Sequence, residues 1–465
     1  MKNEKRKIAS ISILLLFFCV LCTTPEIYVS GDILLDSWTW VAGSNLDDQF
    51  PTYGTKGVED SNNVPGGRQG CGTWIDDEGN YWVFGGYGYD YQGFSGLLND
   101  LWRYNITSQK WAWIAGSNAI NQPSIFSAKG VFNENNQPVC RYECTSFKDN
   151  DGNFWLFGGS TIGGAYRGDL WCYNTTLNAW AWIAGSDTDN EPGDYGIYRI
   201  FDVSNVPPAR TICCSWVDSD NLFYVFGGQA TGSTYFNDLW CYNAALDHWA
   251  WISGNNATNE NGVYGIKGIE DTSNHPGARN TFTSWMSSND YLWLFGGWGR
   301  SWSGATGKLN DLWRYNKTTD KWAWMSGSNV TNDPGNWGIK GVPNDLNMPK
   351  ARYLAASCVD SNGNFLLYGG NSPDTTMLND LWRYDLSLGQ WVWISGNSST
   401  HVMGVYGTLG VANTSTYPGS RQRVTMNCDD NGYIWVFGGY GIGSTGDLGT
   451  LNDLWVYIPA DLVIV

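Results

Sequence analysis

Apolar positions along this chain come in short bursts bounded by turn-forming residues, with no helical stripe. Residues 68–75, 81–84, 101–104 and 111–114 illustrate the pattern. Asp76-Asp77-Glu78-Gly79-Asn80 separates the first two bursts and has the composition a hairpin turn demands. Tyr81-Trp82-Val83-Phe84 is a continuous apolar run, as in a strand buried on both faces, and Gly85-Gly86 is expected to end it. Asn105-Ile106-Thr107-Ser108-Gln109 turns the chain again. In Trp111-Ala112-Trp113-Ile114 the period of two places both Trp on one face. The pattern predicts four short antiparallel strands.

The same unit recurs six times. Gly-Gly doublets end at Gly86, Gly159, Gly228, Gly297, Gly370 and Gly439, and Asp-Leu-Trp phrases begin at Asp100, Asp169, Asp238, Asp311, Asp380 and Asp453. The period is 69 or 73 residues, which marks a repeat architecture. Four strands repeated radially predict an all-β, six-bladed β-propeller. Its phase predicts how the ring closes. Trp38-Thr39-Trp40 has no strands of its own before it, and the phrase ending at Tyr457 has no Trp pair after it. Residues 38–42 should therefore be the outer strand of the last blade, paired with residues 454–457, which removes exposed sheet edges. Of 28 Trp, 18 occupy repeat motifs and seven more lie on the first two strands; packing between blades accounts for these. Trp298, Trp302 and Trp337 fall in loops.

Bulk properties narrow the function. A net charge of −17 argues against nucleic acid or anionic lipid as partner, since both need a basic face. Residues 1–31 differ from the rest: Lys2, Lys5, Arg6 and Lys7 precede an apolar stretch at 8–22, of signal-peptide length and too short to span a bilayer. The reading is a leader at 1–31, a propeller at 32–460 and a tail at 461–465, exported as a secreted or cell-surface monomer with no integral membrane span. Sequons at Asn105, Asn174, Asn256, Asn316, Asn329, Asn397 and Asn413 are candidate glycosylation sites. Nine Cys beyond the leader, scattered over strand positions, do not read as a disulfide framework, and most are expected to be buried thiols.

Gly-Gly ending the second strand, followed by Tyr104 and, seven positions on, Trp111, resembles the kelch motif; Tyr173/Trp180, Tyr242/Trp249, Tyr315/Trp322 and Tyr384/Trp391 repeat the spacing. The resemblance implies a kelch-type propeller over residues 38–457. It leaves function open, because such propellers include adaptors, cell-surface binders, sugar oxidases and mutarotases. These repeats exceed the usual kelch length of roughly 50 residues, and the excess lies between blades, as in residues 262–279.

No cofactor or metal is expected. A copper site like that of the sugar oxidases needs converging imidazoles, and the three His are His248 at a tolerant strand position and His275 and His401 in loops leading to blades that are not neighbours. Asp149-Asn150-Asp151-Gly152-Asn153 is similar to the start of a calcium loop, but lacks the closing acid and reads as a hairpin turn. Arg68, Arg141, Arg210, Arg279, Arg352 and Arg421 each begin a first strand and are expected to ring one mouth of the channel. Either they tie loops to carboxylates or they form an anion or sugar-acid site. Two residues further on, only Glu143 and Arg423 are charged. They read as a buried ion pair or, in an enzyme, as the acid/base.

Between Gly-Gly and Asn99, Asn310 or Asn452 there are twelve residues, against eight in the other blades. These enlarged loops carry Tyr87, Tyr91, Trp298, Trp302 and Tyr440, and Tyr53, Tyr195, Tyr264, Tyr406 and Trp337 come from the segments between blades. Aromatic rings on such a face stack on sugars or anchor a protein, while the inter-blade rings also suit capping of the blade tops. The reading is a binding module for a glycan or an extracellular protein, with Tyr87, Tyr91, Trp298, Trp302, Tyr440 and the six Arg as ligand residues. The alternative is a copper-free sugar-modifying enzyme, mutarotase- or lyase-like, at the channel mouth.

Overall fold

The structure, a computed structural model, describes residues 36–460; the expected leader and tail lie outside the described residues. Six antiparallel sheets stand in a ring, and in blades one to five the strands follow chain order from the axis outward. Blades one to five cover residues 68–115, 141–184, 210–253, 279–326 and 352–395. Blade six covers 421–458 and is completed by Ser37–Ala42, which pairs antiparallel with Leu448–Ile458 through Trp38↔Tyr457 and Trp40↔Trp455. The predicted closure is therefore the observed one. We call the face bearing the Gly-Gly doublets upper and that bearing the Asp/Gly turns lower. No described helix is long and apolar enough to cross a membrane.

The core lies between blades. The first Trp of each pair is at most 3% exposed; Trp111, for example, packs on Tyr104 of its own blade at 5.2 Å and on Phe437 of blade six at 5.7 Å. Truncating one such ring typically costs about 3 to 5 kcal/mol.

Four features differ from the sequence reading. The Gly-Gly doublet ends the second strand only in blades two, three and five. In blades one, four and six the strand runs on as Tyr81–Tyr89, Tyr291–Arg300 and Ile434–Ile442, with a bulge at the doublet. Both Gly85 and Gly86 have positive φ, and a Cβ there would meet Leu98 O at 2.8 Å or Cys71 Sγ at 2.6 Å. The enlarged loops are thus extended hairpins.

The first strand is also broken. Gly70, Glu143, Ile212, Thr281, Leu354 and Arg423 all have φ between 51° and 65°. That turn aims each peptide at the adjoining blades. Gly70 N donates to Arg423 O, Glu143 N to Gly70 O, Ile212 N to Glu143 O, and so on through Thr281 and Leu354 to Arg423, at 2.8 to 3.3 Å. Six hydrogen bonds form a closed circle around the axis, enough to hold five side-chain-bearing residues in a conformation that costs about 1 kcal/mol or more each.

The segments between blades do not simply cap the upper face. Gly57 N and Asp60 N donate to Trp113 O and Trp111 O at 2.7 and 3.3 Å, so the segment descends the outer strand of blade one. Matching bridges join Asn133 to Trp180, Asp202 to Trp249, Asp271 to Trp322, Asn344 to Trp391 and Asn413 to Trp38. The extra length of each repeat shields the edge strand of its blade. Finally, Cys358 and Cys428 form a disulfide between blades five and six, while the other seven described Cys are free.

Candidate ligand site at the channel mouth

The six Arg are not ligand residues in this fold. Arg68 places Nη1 and Nη2 on Asp100 Oδ1 and Oδ2 at 2.7 and 2.9 Å, and spends Nε and Nη1 on the Gly66 and Gly85 carbonyls. Arg141, Arg210, Arg279, Arg352 and Arg421 do the same with Asp169, Asp238, Asp311, Asp380 and Asp453, and all six are at most 1% exposed. The anion-site reading is corrected by this burial. Each Asp also accepts the indole N–H of its own Asp-Leu-Trp phrase, at 2.7 Å for Trp102. In four blades a hydroxyl from the inter-blade segment completes the cluster: Tyr53, Tyr195, Tyr264 and Tyr406, each at 2.7 Å. Trp337 instead packs on Trp382 and Trp393. Burial alone would raise the Asp169 carboxyl, but the Arg141 guanidinium and the Trp171 hydrogen bond hold it below the usual carboxylate range.

One residue further along, each blade presents something different. Gln69, Tyr142, Thr211, Asn280, Tyr353 and Gln422 pair across the sheet with Tyr87, Ser160, Gln229, Trp298, Asn371 and Tyr440. Cross-strand partners share a face, so these twelve residues make the upper mouth of the channel. Tyr87 and Tyr142 meet at 6.4 Å between ring centroids, and on the opposite side Trp298 and Tyr353 meet at 5.9 Å. Asn280 Nδ2 donates to Gln229 Oε1 at 2.6 Å. The Lys308 ammonium lies 4.9 Å over the Tyr353 ring and donates to Asn371 Oδ1 at 2.7 Å and to Ser372 O. Burial pushes the Lys308 amine down to about 8. Among the described residues, the Gln69 and Gln422 Oε1 atoms have no hydrogen-bond donor.

Glu143 and Arg423 form the floor. Arg423 Nε donates to Glu143 Oε1, and the two side chains are 29% and 6% exposed for Arg423 and Glu143 respectively. Glu143 lies where Gly70 lacks a side chain: a Cβ there would be 3.2 Å from Glu143 Cγ and 3.4 Å from a Tyr142 ring carbon. Burial raises the Glu143 carboxyl above the usual range despite the Arg423 charge. The terminal nitrogens of Arg423 have no hydrogen-bond partner among the described residues. A cavity of about 170 Å³ surrounds this pair and is otherwise lined by Cys71, Cys144, Phe282 and Leu354, among others. The arrangement offers aromatic walls and one cationic donor, above buried amide oxygens that lack a donor. Glu143 itself is covered and committed to Arg423.

The structure separates the aromatic residues read from the enlarged loops. Tyr87, Trp298 and Tyr440 stand at the mouth. Tyr91 and Trp302 are at hairpin tips that lean outward, where their N–H groups donate to Asn118 O and Asn329 O beyond the outer strands; both side chains are more than half exposed. Of the sequons, Asn105, Asn174 and Asn316 use their carboxamides inside lower-face turns, donating to Glu59, Asn153 and Glu270. Asn256 and Asn413 are exposed, and Asn329 and Asn397 are half-buried. Sequence reasoning missed Tyr142, Tyr353, Gln69, Gln422 and Lys308. For all but Lys308 the signal was the position after each Arg, which takes four residue types over the six blades while the Arg does not change.

No protein-family model matches the chain. It is similar to Kelch domain-containing protein 10 of Homo sapiens and Bos taurus, 23% identical over 325 residues, a match covering 68% of this chain and 58% of each relative. The Xenopus tropicalis protein is 23% identical over 324 residues, covering 68% of this chain and 62% of the relative. The chain spans less than two thirds of the length of these relatives. With the six-bladed architecture, the similarity supports a kelch-repeat β-propeller.

Proposed function

Taking the chain as a kelch-type propeller, we propose that it is a protein-binding module that receives an extracellular partner at the upper channel mouth. The observation that carries this reading is the mouth itself: two aromatic pairs facing each other across the Arg423 guanidinium. Aromatic and Arg anchors in a partly covered depression are the usual centres of binding energy. Export rests on the leader composition, and an inter-blade disulfide suits an oxidising compartment. The enlarged hairpins of blades one, four and six, with Tyr91 and Trp302 at their tips, supply an outer rim. A glycan carried by the partner would stack on the same rings. The test is binding of the full chain to a panel of cell-surface and matrix proteins, before and after enzymatic deglycosylation. Binding that survives deglycosylation and falls with Tyr142→Ala plus Tyr353→Ala supports the protein reading. Loss on deglycosylation moves the specificity to the glycan, and binding indifferent to the double variant overturns the mouth as the site.

A further inference from the structure

On the lower face the crevices between blades are usually filled by the protein itself. After blade three, Lys317 reaches in from blade four, and its ammonium donates to Asp218 Oδ2 at 2.7 Å and Asp290 Oδ2 at 2.8 Å. After blades one and four, Arg103 and Arg314 lie over Trp82 and Trp293 at 5.7 and 5.8 Å. After blade six, Ile106 is only 3% exposed and fills the space with an apolar group.

The crevice between blades two and three is the departure. Counting from the Arg of each blade, Asp149 stands where Asp218 does and Asp151 where Asp220 does; counting from the Asp-Leu-Trp phrase, Cys172 replaces Arg103 or Arg314, and Ala244 replaces Lys317. Both large cationic side chains are absent together, and a cavity of about 520 Å³ opens in their place. Its inner wall is Trp155 against Phe223, with ring centroids 4.5 Å apart. The Asp149 carboxylate is 5% exposed; its Oδ2 accepts from Trp155 Nε1 at 2.7 Å and Asn153 Nδ2 at 2.9 Å and its Oδ1 from the Asp151 and Asn153 backbone N–H at 3.0 and 2.8 Å, all neutral donors, with no cationic partner among the described residues. Asp151 is exposed at the rim, and Lys129 is already paired with Asp247 at 3.1 Å.

We propose that this crevice binds a ligand carrying a primary ammonium group on an alkyl chain, seated as Lys317 is seated one blade further on. The alkyl part lies along Trp155 and Phe223, and the ammonium approaches Asp149 and Asp151. A buried carboxylate beside an aromatic wall favours a cation that brings its own hydrocarbon. The molecule contains a partial counterpart of the complex: Asp218, at the fold position of Asp149, accepts from the Lys317 ammonium at 2.7 Å, and Asp220, at that of Asp151, lies 4.0 Å from it, while the place of Asp290 is taken here by Asn221. The group could come from a free amine or from a lysine side chain of a protein. This site lies on the face opposite the channel mouth, so its fate is independent of the function proposed there.

The test titrates the full chain by calorimetry with cadaverine and with Nα-acetyl-lysine N-methylamide, using Nα-acetyl-norleucine N-methylamide as the uncharged control. An ammonium probe should bind at least tenfold more tightly than the norleucine control. Ala244→Lys, which installs the residue of the neighbouring crevice at an exposed position, should weaken that binding at least tenfold and leave melting unchanged or raised. Cys172→Arg, the residue of blades one and four, should act in the same direction. The double variant Tyr142→Ala/Tyr353→Ala should bind the ammonium probes as the wild type does. Tighter binding of the capped lysine supports the site and points to a protein side chain; tighter binding of cadaverine supports it and points to a free amine. Failure of both ammonium probes at about 10 mM, or equal binding to wild type and to both filled variants, overturns the proposal.

Discussion

Two rings of residues, adjacent along the six first strands, have opposite characters. The first is Arg in every blade, each buried and clamped to an Asp. The second holds two Gln, two Tyr, a Thr and an Asn, half-buried or better exposed in four of the six blades. A residue that is the same in all six blades answers a need every blade has, here a doubly hydrogen-bonded tie between first and third strands. A position that takes four residue types over six blades answers a need of the ring as a whole, and an asymmetric ligand is such a need. Six identical Arg therefore mark scaffold, although their chemistry invited a ligand role.

The largest effect should come from breaking the uniform ring. Asp311→Asn leaves the Arg279 guanidinium buried against a neutral amide, with one acceptor oxygen where Arg279, Tyr264 and Trp313 now share two. A loss of about 3 to 5 kcal/mol in denaturant unfolding is expected, and a loss below about 1 kcal/mol would place this ring with surface ion pairs. Next is the contrast between a paired and an unpaired buried carboxylate. Burial pushes Asp429 up to about 6, and it has no cation beside it. A carboxyl raised in the folded state stabilises below its unfolded pKa, and that stabilisation is lost as pH rises through about 6. Relative to Asp429→Ser, the residue type blade four carries as Ser287, the wild type should lose about 2 to 3 kcal/mol between pH 4 and pH 7.5. Equal pH dependence would show that Asp429 is solvated.

At the variable ring the expectation reverses. Tyr142→Ala with Tyr353→Ala should weaken the partner about tenfold, roughly 1.4 kcal/mol, with the melting temperature nearly unchanged; a large drop in melting would make these rings scaffold as well. The smallest effect is expected at Gly70→Ala, where a Cβ meets positive φ and the Glu143 side chain at 3.2 Å. About 1 kcal/mol of destabilisation would show that the floor is set by the shape of Gly70, and no change would show that Glu143 simply moves.

Blade number and ring closure were legible in the sequence because they depend on repeated phrases and on where the repeat is cut, at Trp38 and Tyr457. The break in the first strand was not. Ile212 and Thr281 are β-branched and read as strand, and it is the inter-blade hydrogen bonds, absent from any local pattern, that force them to positive φ. The doublet Gly85-Gly86 looks the same as Gly158-Gly159, yet only the first is a bulge inside a longer hairpin; four extra residues decide between them. The disulfide joins a Cys six positions after Arg352 to one seven positions after Arg421, an offset that an alignment of repeats hides. Of the mouth, Tyr87, Trp298 and Tyr440 were found because aromatic loop residues draw notice, and Gln69 and Gln422 were not because amides on strands do not.

The pairing that completes blade six also sets the orientation in which the molecule is presented. Ser37 lies opposite Ile458, and Asp36 holds Ala460 N and the Tyr457 hydroxyl, so both ends of the described chain leave side by side from the lower face. Asp36 and Ala460 thus both stand on the side opposite the mouth. A surface gripping either end would hold the propeller like a dish on a stem, with the concave aromatic side turned outward to whatever passes.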